Sequence, residues 1–113
     1  MAKRLDWFYT RRGCTACGKA EAFLADHGIE ATEVVPASRK LGRDEALEFA
    51  KAARRVVVAK GKRVEEFRPG AGADEDLLRG MLGPTGNLRA PLLRVGKAVL
   101  VGFDEDSYRD VLL

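Results

Sequence analysis

Leu5-Asp6-Trp7-Phe8-Tyr9-Thr10-Arg11-Arg12-Gly13-Cys14-Thr15-Ala16-Cys17-Gly18 is the stretch on which the reading of this chain turns. Its first six residues are apolar and aromatic-rich, the composition of a buried strand. From Thr15 to His27 the period changes: Ala16, Ala20, Phe23 and Leu24 recur at three-and-four spacing, while Lys19, Glu21 and Asp26 are polar. That spacing predicts an amphipathic helix, which Gly28 stops. Between strand and helix stand two cysteines three positions apart.

Reading outward, Ile29 to Val35 is a short strand ended by Pro36, and Asp44 to Ala53 is a second helix with Ala46, Phe49, Ala50 and Ala53 on one face. Arg55 to Ala59 and Arg63 to Phe67 flank Lys60-Gly61-Lys62, as a hairpin or two irregular strands around a glycine turn. Pro69 to Ala73 reads as loop, and Asp74 is a candidate cap for a short helix carrying Leu77, Leu78, Met81 and Leu82. Gly83 to Asn87 breaks it. After Pro91, Leu92 to Val101 reads as two strands joined at Gly96-Lys97. Asp104 opens a terminal helix whose acidic first turn suits the positive end of the helix dipole, with Tyr108, Val111 and Leu112 turned to the core. Two early strands separated by a helix imply parallel pairing, and the late hairpin adds antiparallel strands, so a mixed sheet with helices on its faces is expected.

At 113 residues the chain fits one domain with one core, and 46% hydrophobic residues argue for a folded protein. No run approaches the roughly 18 to 20 apolar residues of a membrane span, and the amino terminus meets Asp6 before any signal-like segment develops, so a cytoplasmic protein is expected. Two cysteines are too few for a secreted disulfide framework. The net charge of +3 concentrates in Lys51, Arg54, Arg55, Lys60, Lys62, Arg63 and Arg68. Without aromatic interleaving or a helix-turn-helix or RNA-binding signature, that segment is read as a solvated basic hairpin and nucleic acid is not expected as a partner.

A cysteine at a helix start lies near unpaired backbone N–H groups and the positive end of the dipole, both of which favour the thiolate. Cys14, nearer the loop, is therefore the candidate nucleophile, with Arg11 and Arg12 close in sequence. Cys17, one turn on, is the candidate resolving thiol, displacing the product and leaving a Cys14–Cys17 disulfide for an external reductant to reset. A structural zinc site needs about four ligands, and the chain adds only His27 and carboxylates, which leaves a zinc shared between two copies as the remaining metal reading. A static disulfide and a pair of incidental core cysteines compete with the redox reading. His27 is read as a helix-end residue without a catalytic role.

Cys14-Thr15-Ala16-Cys17-Gly18-Lys19-Ala20, then Phe23-Leu24 and His27-Gly28-Ile29, resembles the amino-terminal signature of the arsenate reductase and Spx-like family. Asn87-Leu88-Arg89-Ala90-Pro91-Leu92, leading into Val99-Leu100-Val101-Gly102-Phe103, resembles that family's carboxyl-terminal block. The resemblance implies a thioredoxin-like domain over residues 1–113, a mixed sheet of about four strands flanked by helices, with a small insertion at roughly 43–82. It implies a nucleophilic Cys14, a cis Ala90–Pro91 bond facing the cysteine loop, and Arg89 as the nearest cation for an anionic substrate. Substrate-binding residues are thus expected to be Arg11, Arg12, Arg89 and Pro91, with no bound cofactor or metal. The external reductant would be glutathione, a glutaredoxin or a thioredoxin system. Reductases of this type carry an arginine directly before the proline; this chain has Ala90 there and resembles a divergent branch. Two functions follow from the resemblance: a thiol–disulfide oxidoreductase or small-electrophile reductase, and an Spx-like redox-switched regulator binding RNA polymerase or another protein. The reductase branch typically keeps only the first cysteine, so the full CxxC speaks for the regulator.

Overall fold

β1 (Lys3–Thr10) carries Trp7 and Tyr9 on one side and Phe8 on the other, and the two sides of the sheet grow from that alternation. The computed structural model describes residues 3–68 and 75–113. After β1 come α1 (Thr15–Asp26), β2 (Ile29–Pro36), α2 (Arg43–Ala52), β3 (Arg55–Lys60), β4 (Arg63–Phe67), α3 (Glu75–Met81), β5 (Leu92–Val95), β6 (Ala98–Val101) and α4 (Glu105–Leu112). The expected loop at Pro69–Ala73 and the expected Asp74 cap lie outside the described residues.

The six strands form one mixed sheet in the order β2-β1-β5-β6-β3-β4. β1 runs parallel to β2 and antiparallel to β5, β5 pairs antiparallel with β6, and β6 runs parallel to β3, which turns back into β4. Trp7 lies opposite Arg94, Phe8 opposite Leu93 and Tyr9 opposite Leu92, so the alternation of β1 continues across its neighbour. On one face α2 and α3 cover Tyr9, Val56, Val58, Leu92, Val99 and Val101. On the other, α1 and α4 bring Phe23, Leu24, Tyr108 and Leu112 against Phe8, Val57, Leu93 and Leu100.

The sheet has six strands where about four were expected, because the stretch read as an insertion supplies two of them. Val56, Val57, Val58 and Ala59 are all buried, so β3 is apolar toward both faces and requires helices on both. Only β4 matches the solvated half of the expected basic hairpin: Arg63 to Glu66 are exposed on an edge strand. Arg55 is not a free surface cation but pairs with Glu66 and with Asp110 of α4, both at 2.8 Å.

Two details fix the end of the sheet that carries the cysteines. The Ala90–Pro91 peptide bond is cis, as the resemblance implied. The Pro91 carbonyl accepts a hydrogen bond from Gly102 N at 2.8 Å. Gly102, with φ of +81°, passes so close to β3 that a Cβ there would collide with the Ala59 carbonyl oxygen. Only glycine permits that approach. The Gly102 carbonyl in turn accepts from the Tyr108 hydroxyl at 2.7 Å, which ties α4 to the same corner.

Candidate thiol site

The loop between β1 and α1 turns at Gly13, whose φ of +72° suits a residue without a side chain, and this delivers Cys14 to the N-cap of α1 in an extended conformation. Cys14 takes the place that serine or aspartate often fills: its sulfur accepts the Cys17 backbone N–H at 3.2 Å. The carbonyl of Cys14 starts the helical ladder by accepting from Gly18 N at 3.0 Å. Across the site the Ala90 carbonyl oxygen lies 3.8 Å from the Cys14 sulfur and accepts from its thiol. The cis-proline loop and the cysteine loop thus meet at one atom pair.

The two sulfurs stand in opposite environments. For Cys14, partial burial opposes ionisation, but hydrogen bonds from the Cys17 side chain, the Cys17 backbone and the Arg11 guanidinium outweigh it, and the Arg11 charge adds to them. Its pKa is lowered. For Cys17, burial dominates, and the hydrogen bond and charge of Cys14 push the same way, so its pKa is raised to about 11. Contacts from the Arg11 backbone and the Thr10 side chain offset this only in part. The Cys17 side chain is fully buried, whereas Cys14 is half-exposed, and both are free thiols. The pair therefore loses its first proton from the exposed sulfur and keeps the second on the buried one.

Of the other expected residues, Arg11 stands beside both cysteines, and Pro91 is buried with its neighbour Ala90 at the thiol. Arg11 and Arg89 line one cavity of about 400 Å³ that also takes in Lys40 and Ala90. The Arg89 Nε also donates to the Leu82 carbonyl at 3.4 Å. Arg12 is exposed and lines a different cavity of about 650 Å³, together with Thr10, Glu21, Val34 and Pro36, and among the described residues no hydrogen bond or ion pair joins it to a thiol. His27 lies at the far end of α1, its Nδ1 2.9 Å from the Phe23 carbonyl and its ring on the Phe23 ring at 4.2 Å.

Among the described residues no group of three or more His, Cys, Asp or Glu side chains is gathered as a metal site. No described helix is long and apolar enough to cross a membrane. Reading the sequence missed one neighbour of the pair, Thr10, which stands beside Cys17. Thr10 ends the strand that feeds the loop, and its hydroxyl donates to Glu21 of α1 at 3.3 Å. No protein-family model matches the chain, and no curated protein does.

Proposed function

We propose that the protein is a thioredoxin-like thiol–disulfide oxidoreductase in which Cys14 attacks a disulfide or a comparable small electrophile and Cys17 resolves the product. The observation that carries this reading is the unequal pair: a half-exposed sulfur with lowered pKa at a helix start, one turn from a buried thiol with raised pKa. The thioredoxin-like reading is supported by the β2-β1-β5-β6 portion of the sheet, with α1 between the parallel strands, a cis-proline before the antiparallel hairpin, and α4 returning to the α1 face.

The cycle balances as follows. The Cys14 thiolate attacks one sulfur of R–S–S–R′, forming the Cys14–S–S–R bond and releasing R′–S⁻ with the electron pair of the broken bond. Cys17 gives up its proton and attacks the Cys14 sulfur, forming the Cys14–Cys17 disulfide and releasing R–S⁻. The substrate disulfide has gained two electrons and the protein dithiol has lost them. An external thiol reductant of the glutathione, glutaredoxin or thioredoxin type returns them, which suits a reducing cytoplasm. Arg11 and Arg89, on one cavity beside Cys14, favour a substrate with negative charge near its disulfide.

The test is incubation of single variants with a mixed disulfide of glutathione and with a panel of protein disulfides. Cys14→Ser abolishes turnover, and Cys17→Ser accumulates a covalent adduct on Cys14 detectable by intact mass. Full activity in both variants would overturn the reading. Redox-dependent capture of one large partner without turnover would instead favour the Spx-like regulator.

A further inference from the structure

Five of the six strands bring a loop or turn to the end of the sheet where the thiol sits. β1 and β2 are parallel and finish there with Thr10 and Pro36, β5 starts there with Leu92 opposite Tyr9, and β6 and β3 arrive there with Val101 and Lys60. In the order of the sheet, the segments above this end are the one after β2, with Lys40, the one after β1, with Arg11, the one before β5, with Arg89, and the turn after β3, with Lys60. These cations are far apart in the sequence, and only the strand order lines them up.

Two cavities open here, and both are lined by Arg89 and by Ala90, whose carbonyl oxygen faces the Cys14 sulfur at 3.8 Å. The cavity of about 400 Å³ takes in Arg11 and Lys40. The other, of about 310 Å³, lies toward β3 and takes in Lys19 and Lys60. Together they hold five cations and, among the described residues, no carboxylate. None of the five forms an ion pair among the described residues; all seven pairs there are made by arginines that line neither cavity. Arg89 Nε is held by the Leu82 carbonyl, which leaves the charge of its guanidinium uncompensated. A cleft lined by one sign of charge concentrates a partner of the other sign.

The cations are spread too widely for one small anion. From β2 to β3 is four strand spacings, about 19 Å, a span that an extended chain covers with about six residues. A nucleic acid would match the charge but brings no disulfide to Cys14. We propose that these two cavities form one groove for an acidic polypeptide segment that carries the substrate disulfide, its cysteine at Cys14 and its carboxylates on both sides. Arg11 and Lys40 meet the acids on one side, Lys19 and Lys60 those on the other, and Arg89 stands between. Arg12 lies outside the groove, in a cavity that Glu21 also lines. The inference rests on the oxidoreductase reading and extends it from a negative charge near the disulfide to a chain that is acidic on either side of it; the two can fail separately.

The experiment is stopped-flow reaction of the reduced full-length protein with short synthetic peptides whose central cysteine carries thionitrobenzoate as a mixed disulfide, the released aryl thiolate being read in the visible. The peptides are acidic on both sides of the cysteine, acidic on either side alone, neutral, or basic. At about 10 mM salt, where charges act over about 30 Å, the peptide acidic on both sides is expected to react about tenfold faster than the neutral one, with the one-sided peptides between them and the basic peptide slowest. At about 1 M salt, where that reach falls to about 3 Å, the rates converge. Lys19→Gln combined with Lys60→Gln lowers the acidic-to-neutral rate ratio by about threefold, half of the effect on a logarithmic scale, and so does Lys40→Gln combined with Arg11→Gln. The ratio is taken within one variant, so a change in the reactivity of its thiol cancels. Equal rates for acidic and neutral peptides at low salt, or a one-sided peptide as fast as the two-sided one, overturn the groove alone. Inhibition by a single-stranded oligonucleotide where a cysteine-free acidic peptide does not inhibit also overturns it. Release in Cys14→Ser as fast as in the wild type overturns the oxidoreductase reading and the groove with it.

Discussion

Cys14 and Cys17 are the same functional group set one helical turn apart, and their chemistry diverges through what each sulfur meets. Cys14 meets donors: the Cys17 backbone N–H at 3.2 Å, the Cys17 thiol and the Arg11 guanidinium. Cys17 meets the hydrophobic interior. The two arginines of the loop are likewise unequal, since only Arg11 reaches the sulfur. Replacing Arg11 by Gln should slow alkylation of Cys14 at pH 7 by roughly two- to fivefold, the span of a half-exposed charge interaction, and Arg12→Gln should leave the rate unchanged. Iodoacetamide kinetics against pH, in a Cys17→Ser background so that one thiol reports, would measure this. Equal effects from both arginines would mean that the general positive charge of the loop activates the thiol, and that the Arg11 hydrogen bond adds nothing. Sequence order alone placed both arginines near the cysteines. It does not say which one a turn at Gly13 points inward.

At the scale of elements, β3 is where reading and structure part. Val56-Val57-Val58-Ala59 is a short continuous apolar run, the signature of a strand covered on both faces, but it lies among basic residues that drew the reading toward a solvated hairpin. Its burial is created by partners far along the chain: β6 alongside, α2 and α3 on one face, and α4 on the other. Val57→Ala should therefore destabilise the whole domain by about 2 kcal/mol, with the β1 and β5 amides losing hydrogen-exchange protection together with those of β3. If protection falls in residues 43–68 alone, the stretch behaves as a separable insertion. By contrast, β1, α1, β2 and α4 were legible almost to the residue, because each carries its own signal: alternation, three-and-four spacing, a stop residue, or an acidic first turn. The cysteine site was legible for the same reason, being built within one short stretch. Its closing wall at Ala90 is 76 residues distant from Cys14 and was reached only through the resemblance. Thr10 was overlooked because a polar residue at the end of a strand has no mark until its neighbour is known.

For the whole molecule, the opposed pKa shifts make folding stability depend on pH in two windows of opposite sign. An unfolded cysteine ionises near about 8.5. Cys14, whose folded pKa is lowered, binds fewer protons folded than unfolded between its folded pKa and that value, so its contribution grows as pH rises through this window and is lost as pH falls. Cys17, raised to about 11, does the reverse: above about 8.5 the unfolded chain has released a proton that the folded chain still holds, and stability drains away until about 11. The limiting slope for one proton is about 1.4 kcal/mol per pH unit. Lysines and tyrosines also titrate in alkali, so the quantity to follow is the difference between the reduced wild-type protein and each cysteine variant in urea unfolding. Wild type minus Cys14→Ser should rise as pH climbs toward about 8.5 from below, and wild type minus Cys17→Ala should fall from there to about 11, added to a constant offset for the lost sulfur. If the second difference stays flat over that range, Cys17 ionises alike in the folded and unfolded chains. Its burial would then not hold the proton.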